Sequence, residues 1–312
     1  MGKLHDDRLE NFMVLKEEIE LSVLDFGETI NPNESVHEVL NYAVIAEELG
    51  FKRFWLGEHY LNHTLFSNPE PLIPTIALKT KRIAVGVAGI LIRQHSTHRV
   101  SYSFNLLARM FPDRIDLGLV APSIKADVLQ QLSSNDRRGA QEIFQEFIDL
   151  FNGTAKAPGI HINSSPNLWH LTSSIKTYVS CQHHQAVNVS KTLFHHNANF
   201  DPEIDVMNRL KDRNENGHIP KINIAIGCFV SYDHKKVSEC RKFYKSILSK
   251  EVYDMSVIET PNSFLEKIKS ISHKYQTNDI VILNLGRSYQ DKAECLTAVS
   301  DILNLKDAYK FR

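Results

Sequence analysis

Short apolar runs alternate with amphipathic segments along nearly the whole chain. The clearest run, residues 83–92, reads IAVGVAGILI and contains no charged side chain. A strand of this composition has both faces buried, which is typical of a parallel sheet covered by helices. Because parallel neighbours need long crossover connections, the amphipathic segments between the runs are predicted to be crossover helices.

Eight segments have the composition of strands, with helices predicted between them. The predicted strands are residues 20–26, 51–57, 83–92, 115–120, 168–171, 192–195, 221–230 and 279–285. The predicted helices are residues 35–49, 71–78, 99–110, 138–151, 176–187, 235–248, 263–273 and 290–303, with a further helix starting at Asp201–Pro202. Eight parallel strands joined by helices favour a closed (β/α)8 TIM barrel over an open doubly wound sheet. We expect residues 1–312 to form one domain with loop insertions and an N-terminal extension at residues 1–17.

Composition argues against two classes of partner. Lys and Arg number 36 against 37 Asp and Glu, so the formal net charge is −1. Nucleic acids and anionic membrane surfaces select proteins with a surplus of cationic side chains, which this chain lacks. No uncharged apolar run approaches the roughly 20 residues that span a bilayer, and the polar N-terminus lacks a signal-peptide core. With four cysteines and no C-x-x-C pair, we expect reduced thiols and a cytoplasmic location.

Several segments, in order and at consistent spacing, match one known family. They are AEELGFKRFWLGEHY at residues 46–60, SNPEPLIPTIALKTKRIAVGVAGILI at 67–92, RQHSTHRV at 93–100, PDRIDLGL at 112–119, LWHLTSS at 168–174, and ETPNSFLEKI and NDIVILNL near the C-terminus. The chain resembles the bacterial luciferase-like flavin-dependent monooxygenases, which are (β/α)8 barrels. The resemblance implies an enzyme that takes reduced FMN (FMNH2) from a separate flavin reductase, activates O2 as a C4a-peroxyflavin and oxygenates a small organic substrate. It also implies a homodimer, or a heterodimer with a related subunit, formed through helices near the start of the barrel.

Histidine is abundant, at 15 residues, and one histidine lies in a family motif. By resemblance, His59 of the Glu58–His59 pair is the catalytic histidine at the end of the second strand. An imidazole suits proton transfer near neutral pH. The alternative is a hydrogen-bonded structural histidine at a strand end. The resemblance also places Tyr60 and His196 in the substrate pocket.

A metal site is not expected. His59 and His63 have an H-x3-H spacing that suits zinc on a helix, but they follow a strand and no third-ligand pattern accompanies them. The pairs His183–His184 and His195–His196 consist of adjacent residues, whose side chains point apart on a helix or strand.

The resemblance places the flavin at the carboxyl ends of the strands. The cofactor-binding residues that it implies are Asp25, Glu58, Ile73, Pro74, Gly89, Thr172, Ser173 and Ser174. Related proteins hold a cis non-proline peptide bond beneath the flavin ring. The matching bond here is predicted at Ile73–Pro74, because proline lowers the cost of a cis bond. The alternative is a trans proline in the first helical turn.

The phosphate site departs from the family pattern. Ala121 stands where the family carries an arginine that grips the FMN phosphate, and Thr172 replaces a glycine of the next turn. The hydroxyls and backbone N–H groups of Thr172, Ser173 and Ser174 either bind the phosphate or cap the following helix. Lys125 and Arg93 are candidate sources of the missing charge.

Two functions therefore stay open. The first is the FMNH2-dependent monooxygenase. The chain has no G-x-G-x-x-G motif after a predicted strand, so a nicotinamide site within the chain itself is not expected. The second is a luciferase-like barrel with weakened or lost flavin binding that acts as a partner subunit or a binding protein. A deazaflavin-dependent enzyme is a weaker third alternative. No recognisable loop motif identifies the substrate.

Overall fold

The computed structural model describes residues 19–27, 36–60, 64, 66–121, 138–155, 157–176, 187–212 and 220–308. The strands in this part of the chain are β1 Glu20–Asp25, β2 Arg53–Leu56, β3 Ala84–Leu91, β4 Ile115–Val120, β5 Asn167–Thr172, β6 Val187–Thr192, β7 Ile222–Val230, β8 Val257–Glu259 and β9 Asp279–Asn284. The helices are α1 Val36–Glu48, α2 Leu72–Lys79, α3 Thr97–Met110, α4 Ala140–Asn152, α5 Ile204–Asp212, α6 His234–Ile247, α7 Lys250–Met255, α8 Pro261–Tyr275, α9 Tyr289–Leu303 and α10 Leu305–Ala308. The predicted extension, residues 1–17, lies outside the described residues.

Eight of these strands close into a parallel barrel. Neighbours pair in the order β6–β5–β4–β3–β2–β1–β9–β7, and β7 pairs back with β6. All of these pairings are parallel, so the carboxyl ends of the eight strands open on the same side. The (β/α)8 barrel predicted from the sequence is confirmed.

The short strand β8 is not part of the eight-strand ring. It pairs with the last three residues of β7, Cys228 to Val230, whereas β6 pairs with the first part of that strand. Three residues are too few to show a strand period, so β8 could not be predicted from the sequence.

The sixth strand was predicted in the wrong place. It spans Val187–Thr192, whereas the prediction placed the strand over residues 192–195. Most of the helix predicted over residues 176–187 lies outside the described residues. A lysine next to the last residue of the segment breaks its apolar pattern. In the structure the side chain of Lys191 is fully buried beside Glu203, so the segment is a core strand despite its charge.

Side-chain caps set two helix starts away from their predicted positions. The hydroxyl of Ser96 accepts the backbone N–H of Arg99, so α3 begins two residues before the predicted start at residue 99. The Asp201 carboxylate accepts the backbone N–H of Glu203 at 3.0 Å, and α5 begins after that turn rather than at Pro202.

Two apolar cores stabilise the barrel. The larger lies between the strands and the surrounding helices. All buried residues of the smaller core come from strands of the eight-strand ring. Side chains from opposite strands of the ring contact each other only inside the barrel, so this core fills the barrel interior. This interior cluster consists of Leu24, Trp55, Ala88, Trp169, Leu171, Ala225 and Val281.

Buried charges close the amino ends of the strands. Arg53 Nη1 lies 3.0 Å from Asp279 Oδ2, and the indole N–H of Trp55 donates to Asp116 at 2.7 Å. Burial raises the pKa of Asp279 to about 6, against the opposing charge of Arg53. Barrel enzymes react at the other end of their strands, so this network has a structural role.

No helix in the described residues combines the length and apolar character needed to cross a membrane. Cys228, Cys240 and Cys295 are buried free thiols, and Cys181 lies outside the described residues.

Candidate active site

Glu58 joins the carboxyl ends of β2 and β3. Its Oε1 accepts a hydrogen bond from the Tyr60 hydroxyl at 2.5 Å and lies 2.8 Å from Nε2 of His95. Its Oε2 accepts the backbone N–H of Leu91 at 2.9 Å. The carboxylate is almost fully buried, and both of its oxygens bond within the protein. Glu58 therefore positions Tyr60 and His95. His95 was not predicted as a site residue from the sequence, although it lies in the RQHSTHRV segment.

The electrostatics of this corner favour a charged His95. Burial alone would lower the pKa of His95, but the hydrogen bond and charge of Glu58, with the charge of Glu70, raise it. Burial raises the pKa of Glu70. The charge of His95 opposes this rise, and the charge of Glu58 adds to it. The pKa of Tyr60 is raised by burial and by its hydrogen bond to Glu58.

Replacing His95 with glutamine should remove a pH-dependent part of the stability. Because the folded-state pKa of His95 is raised, its pair with Glu58 contributes fully below the unfolded value of about 6.5 and is lost as the pH rises through the folded value. We expect urea unfolding to show the native protein more stable than His95→Gln by about 1 kcal/mol at about pH 5.5, and by less at about pH 8.5. A gap that stays constant with pH would contradict the ion pair.

His59 lies in an aromatic cluster at the mouth of the barrel. Its ring stands edge-on to Phe26 with centroids 5.3 Å apart, and Phe26 meets Phe194 at 6.0 Å. His195 follows, with its ring centroid 4.4 Å from that of Phe194. His195 is exposed, while desolvation by the neighbouring protein and the charges of His59 and His196 lower its pKa. The ends of β1, β2 and β6 thus bring histidines and phenyl rings together.

Gly57 permits this cluster. A Cβ at that position would lie 2.1 Å from the ring of Phe26, which crosses the end of β2. Phe26 and Phe194 of the aromatic cluster, together with the partly buried Val120 and Leu283, pack on the interior cluster beneath them. The mouth therefore has an apolar floor, and we name it the mouth floor.

Asp25, at the end of β1, is engaged inside the fold. Its Oδ1 lies 3.0 Å from Nζ of Lys292 and accepts the backbone N–H of Gly27 at 3.1 Å. Both charged side chains are buried. The predicted cofactor contact of Asp25 would have to form alongside this ion pair.

The cis peptide bond lies in β3 and not in α2. Among the described residues the one cis bond is Ala88–Gly89, so the cis alternative for Ile73–Pro74 is wrong and the trans alternative holds. Ile73 is buried in the core between strands and helices, away from the interior cluster. Ala88 is part of the interior cluster, so the Ala88–Gly89 bond lies beneath the mouth floor.

The turn after β5 binds a carboxylate of the protein itself. The backbone N–H groups of Ile175 and Lys176 donate to Glu203 at 2.8 and 3.1 Å, and the Ser174 hydroxyl donates to it at 2.7 Å. The Thr172 hydroxyl donates to the carbonyl of Ser174 at 2.7 Å. The hydroxyls of Thr172 and Ser174, predicted to bind phosphate, are therefore engaged within the protein.

The contacts described so far do not test the roles predicted for the remaining site residues. His196 is exposed at the mouth beside His195. His63, the pair His183–His184 and Lys125 lie outside the described residues. In the described part of the chain, no three His, Cys, Asp or Glu side chains are grouped closely enough to hold a metal ion.

Sequence comparison identifies relatives of this barrel. The profile of the luciferase-like monooxygenases matches residues 20–236. The uncharacterised protein YwcH of Bacillus subtilis is 25% identical over 325 residues, which cover 88% of this chain and 96% of the relative. N-acetyl-S-alkylcysteine monooxygenase of Bacillus subtilis is 30% identical over 178 residues, which cover 52% of this chain and 53% of the relative.

Structural comparison gives the same fold. The oxygenating constituent of 3,6-diketocamphane monooxygenase from Pseudomonas putida, a type II Baeyer–Villiger monooxygenase in complex with FMN, superposes with a TM-score of 0.65. It is 14% identical, and the alignment covers 92% of this chain and 98% of that one. Because the family profile covers well over half of the sequence, and the barrel agrees with it, this chain belongs to the luciferase-like monooxygenases and is an oxidoreductase.

Proposed function

We propose that the protein is a flavin-dependent monooxygenase that takes FMNH2 from a separate reductase and uses O2 to oxygenate a small organic substrate. The observation that carries this proposal is the placement of His59, edge-on to Phe26, at the carboxyl end of β2 above the mouth floor. A titratable imidazole on an apolar surface suits a flat redox ring that must exchange protons while water is kept away.

The residues of the mouth fit the flavin ring better than they fit its phosphate. The mouth floor offers apolar and aromatic contacts to a planar ring. At the β5 turn, however, Glu203 engages the donors of Ser174, Ile175 and Lys176. Ala121 brings no charge to the neighbouring strand end. A phosphate therefore does not fit at this turn as the side chains stand.

Each residue of the mouth then has a distinct proposed role. A reduced flavin, when bound, supplies the electrons that activate O2. His59 donates or accepts a proton at its imidazole, and Glu58 orients Tyr60 and His95 at the carboxyl ends of β2 and β3. Phe26 and Phe194 exclude water from the face of the cluster. Gly89 stays a proposed cofactor contact, and a Cβ at this position would lie 3.0 Å from Val120 of the mouth floor.

Calorimetric titration tests the proposal directly. Oxidised FMN, FMNH2 and a deazaflavin are titrated separately into the folded protein. Binding of FMN or FMNH2 supports the monooxygenase, and tighter binding of the deazaflavin transfers the proposal to that cofactor. No binding at high micromolar concentration of any of them would favour the alternative of a partner subunit or binding protein.

We further propose a homodimer formed through α3. Tyr102, Leu106 and Met110 are exposed at a spacing of four residues, which places them along one stripe of the helix. Leu78 of α2 adds a further exposed apolar side chain, 74% accessible. A second copy of the chain would bury this stripe and remove apolar surface from water.

Leu106→Glu should convert the purified protein to a monomer in analytical ultracentrifugation. The change places a charge in the centre of an apolar contact, where it must lose its hydration. Ile247→Glu is the matched control, because Ile247 is equally exposed on α6, away from the stripe. A native protein that sediments as a monomer, or a Leu106→Glu dimer, would contradict this interface.

A further inference from the structure

The carboxylate of Glu203 is surrounded by donors from two strand ends. Oε2 accepts the backbone N–H of Ile175 at 2.8 Å and lies 2.5 Å from Nζ of Lys191. Oε1 accepts the Ser174 hydroxyl at 2.7 Å and the backbone N–H of Lys176 at 3.1 Å. The side chains of both Lys191 and Glu203 are fully buried. We call these four donors the anion cradle.

The anion cradle has the chemistry of a phosphate site. Convergent backbone N–H groups, a hydroxyl and a lysine ammonium are a donor set that phosphate oxygens also use. The hydrogen bonds from Lys191, Ser174, Ile175 and Lys176 outweigh the effect of burial and lower the pKa of Glu203. The anion cradle therefore already binds a negative charge, the Glu203 carboxylate of the protein itself.

We infer that Glu203 takes the place of a flavin phosphate in this barrel, so that the protein recognises a flavin by its ring system and binds riboflavin and FMN with similar affinity. This inference rests on the proposed flavin-dependent function. It makes Glu203 a residue that determines cofactor specificity. Ala121 agrees with it, because the residue that directly follows β4, one of the two strands paired with β5, carries no charge for a phosphate.

The backbone at Glu203 provides a suitable test variant. Glu203 has φ of 56°, in the left-handed region that favours glycine. Glu203→Gly therefore removes the carboxylate while the backbone keeps its conformation. Asp113→Gly is the matched control. Asp113 has a similar φ of 61°, its side chain is exposed, and it is not part of the anion cradle.

The first measurement compares riboflavin with FMN on the native protein by calorimetry. We expect dissociation constants within about threefold of each other. A phosphate held by charge-assisted hydrogen bonds would favour FMN by at least about tenfold. A native preference for FMN of that size would overturn the inference.

The second measurement uses Glu203→Gly, whose anion cradle has lost its carboxylate. We expect its preference for FMN over riboflavin to rise at least about tenfold. Inorganic phosphate should also raise its melting temperature, and should leave the native protein and Asp113→Gly unchanged. If Glu203→Gly does not fold, the double variant Lys191→Met with Glu203→Gly removes the unpaired buried charge and keeps the backbone donors for the same two measurements.

The outcomes separate this inference from the proposed function. If neither flavin binds the native protein, the flavin-dependent function fails, and phosphate stabilisation of Glu203→Gly still decides whether Glu203 fills an anion site. If both flavins bind but the folded variants show neither a changed FMN preference nor stabilisation by phosphate, Glu203 does not determine cofactor specificity and the inference is wrong.

Discussion

Replacing Lys191 with alanine should lower the free energy of unfolding by about 3–5 kcal/mol, because it leaves the Glu203 carboxylate buried without its cation. The two side chains have no solvent exposure, so water cannot substitute for the missing ammonium. The loss also removes the bond from Lys191 to the carbonyl of Asp201, which holds the start of α5. Urea unfolding at neutral pH, with the slope of the transition compared between proteins, measures the change.

Two controls give this prediction its specificity. Lys176 presents an exposed side chain and only its backbone N–H reaches Glu203, so Lys176→Ala should change stability by no more than about 0.5 kcal/mol. The pair Lys191→Met and Glu203→Gln removes both charges and should recover most of the loss. A Lys191→Ala protein as stable as the native one would show that the buried pair contributes little.

His59→Ala should reduce oxygenation by a factor of about 10² to 10⁴, the usual contribution of a positioned acid or base. The assay supplies FMNH2 and O2 and follows the oxygenated product of a small organic substrate that the native protein converts. Flavin affinity, measured separately, should change much less than turnover. The protein fold should be unaffected, because His59 lies only partly buried at the mouth.

His273→Ala serves as the matched control for this loss. His273 lies near the end of α8 with an exposed side chain, away from the mouth and from the α3 stripe. Equal losses in the two variants, or unchanged turnover in His59→Ala, would remove His59 from the chemistry and leave it as a structural histidine.

The barrel was predictable because its dominant signal is local. Strands such as Ala84–Leu91 carry an uninterrupted apolar pattern, and helices such as Ala140–Asn152 carry an amphipathic one. β6 was not predictable, because the lysine that interrupts it is neutralised by a carboxylate twelve residues further along the chain. Patterns in sequence report burial and cannot show which partner makes a charge tolerable.

The candidate site was only partly predictable for a similar reason. The motif pointed to Glu58 and His59, but the roles of Phe26, His95 and Glu203 come from contacts between separate strand ends. The position of the cis bond had no signal, since Ala88–Gly89 lies inside an ordinary apolar run. A proline gave a plausible position for that bond in sequence, and the wrong one in the structure.

The interior cluster also determines the optical properties of the protein. The chain has two tryptophans, and both lie in this cluster with ring centroids 5.1 Å apart. All intrinsic indole emission therefore arises inside the barrel, beneath the mouth floor. Oxidised flavin absorbs in the wavelength range where indole emits, so a flavin above this floor would accept the excitation energy. Occupancy of the mouth can then be followed by the dimming of native fluorescence, without any label attached to the chain.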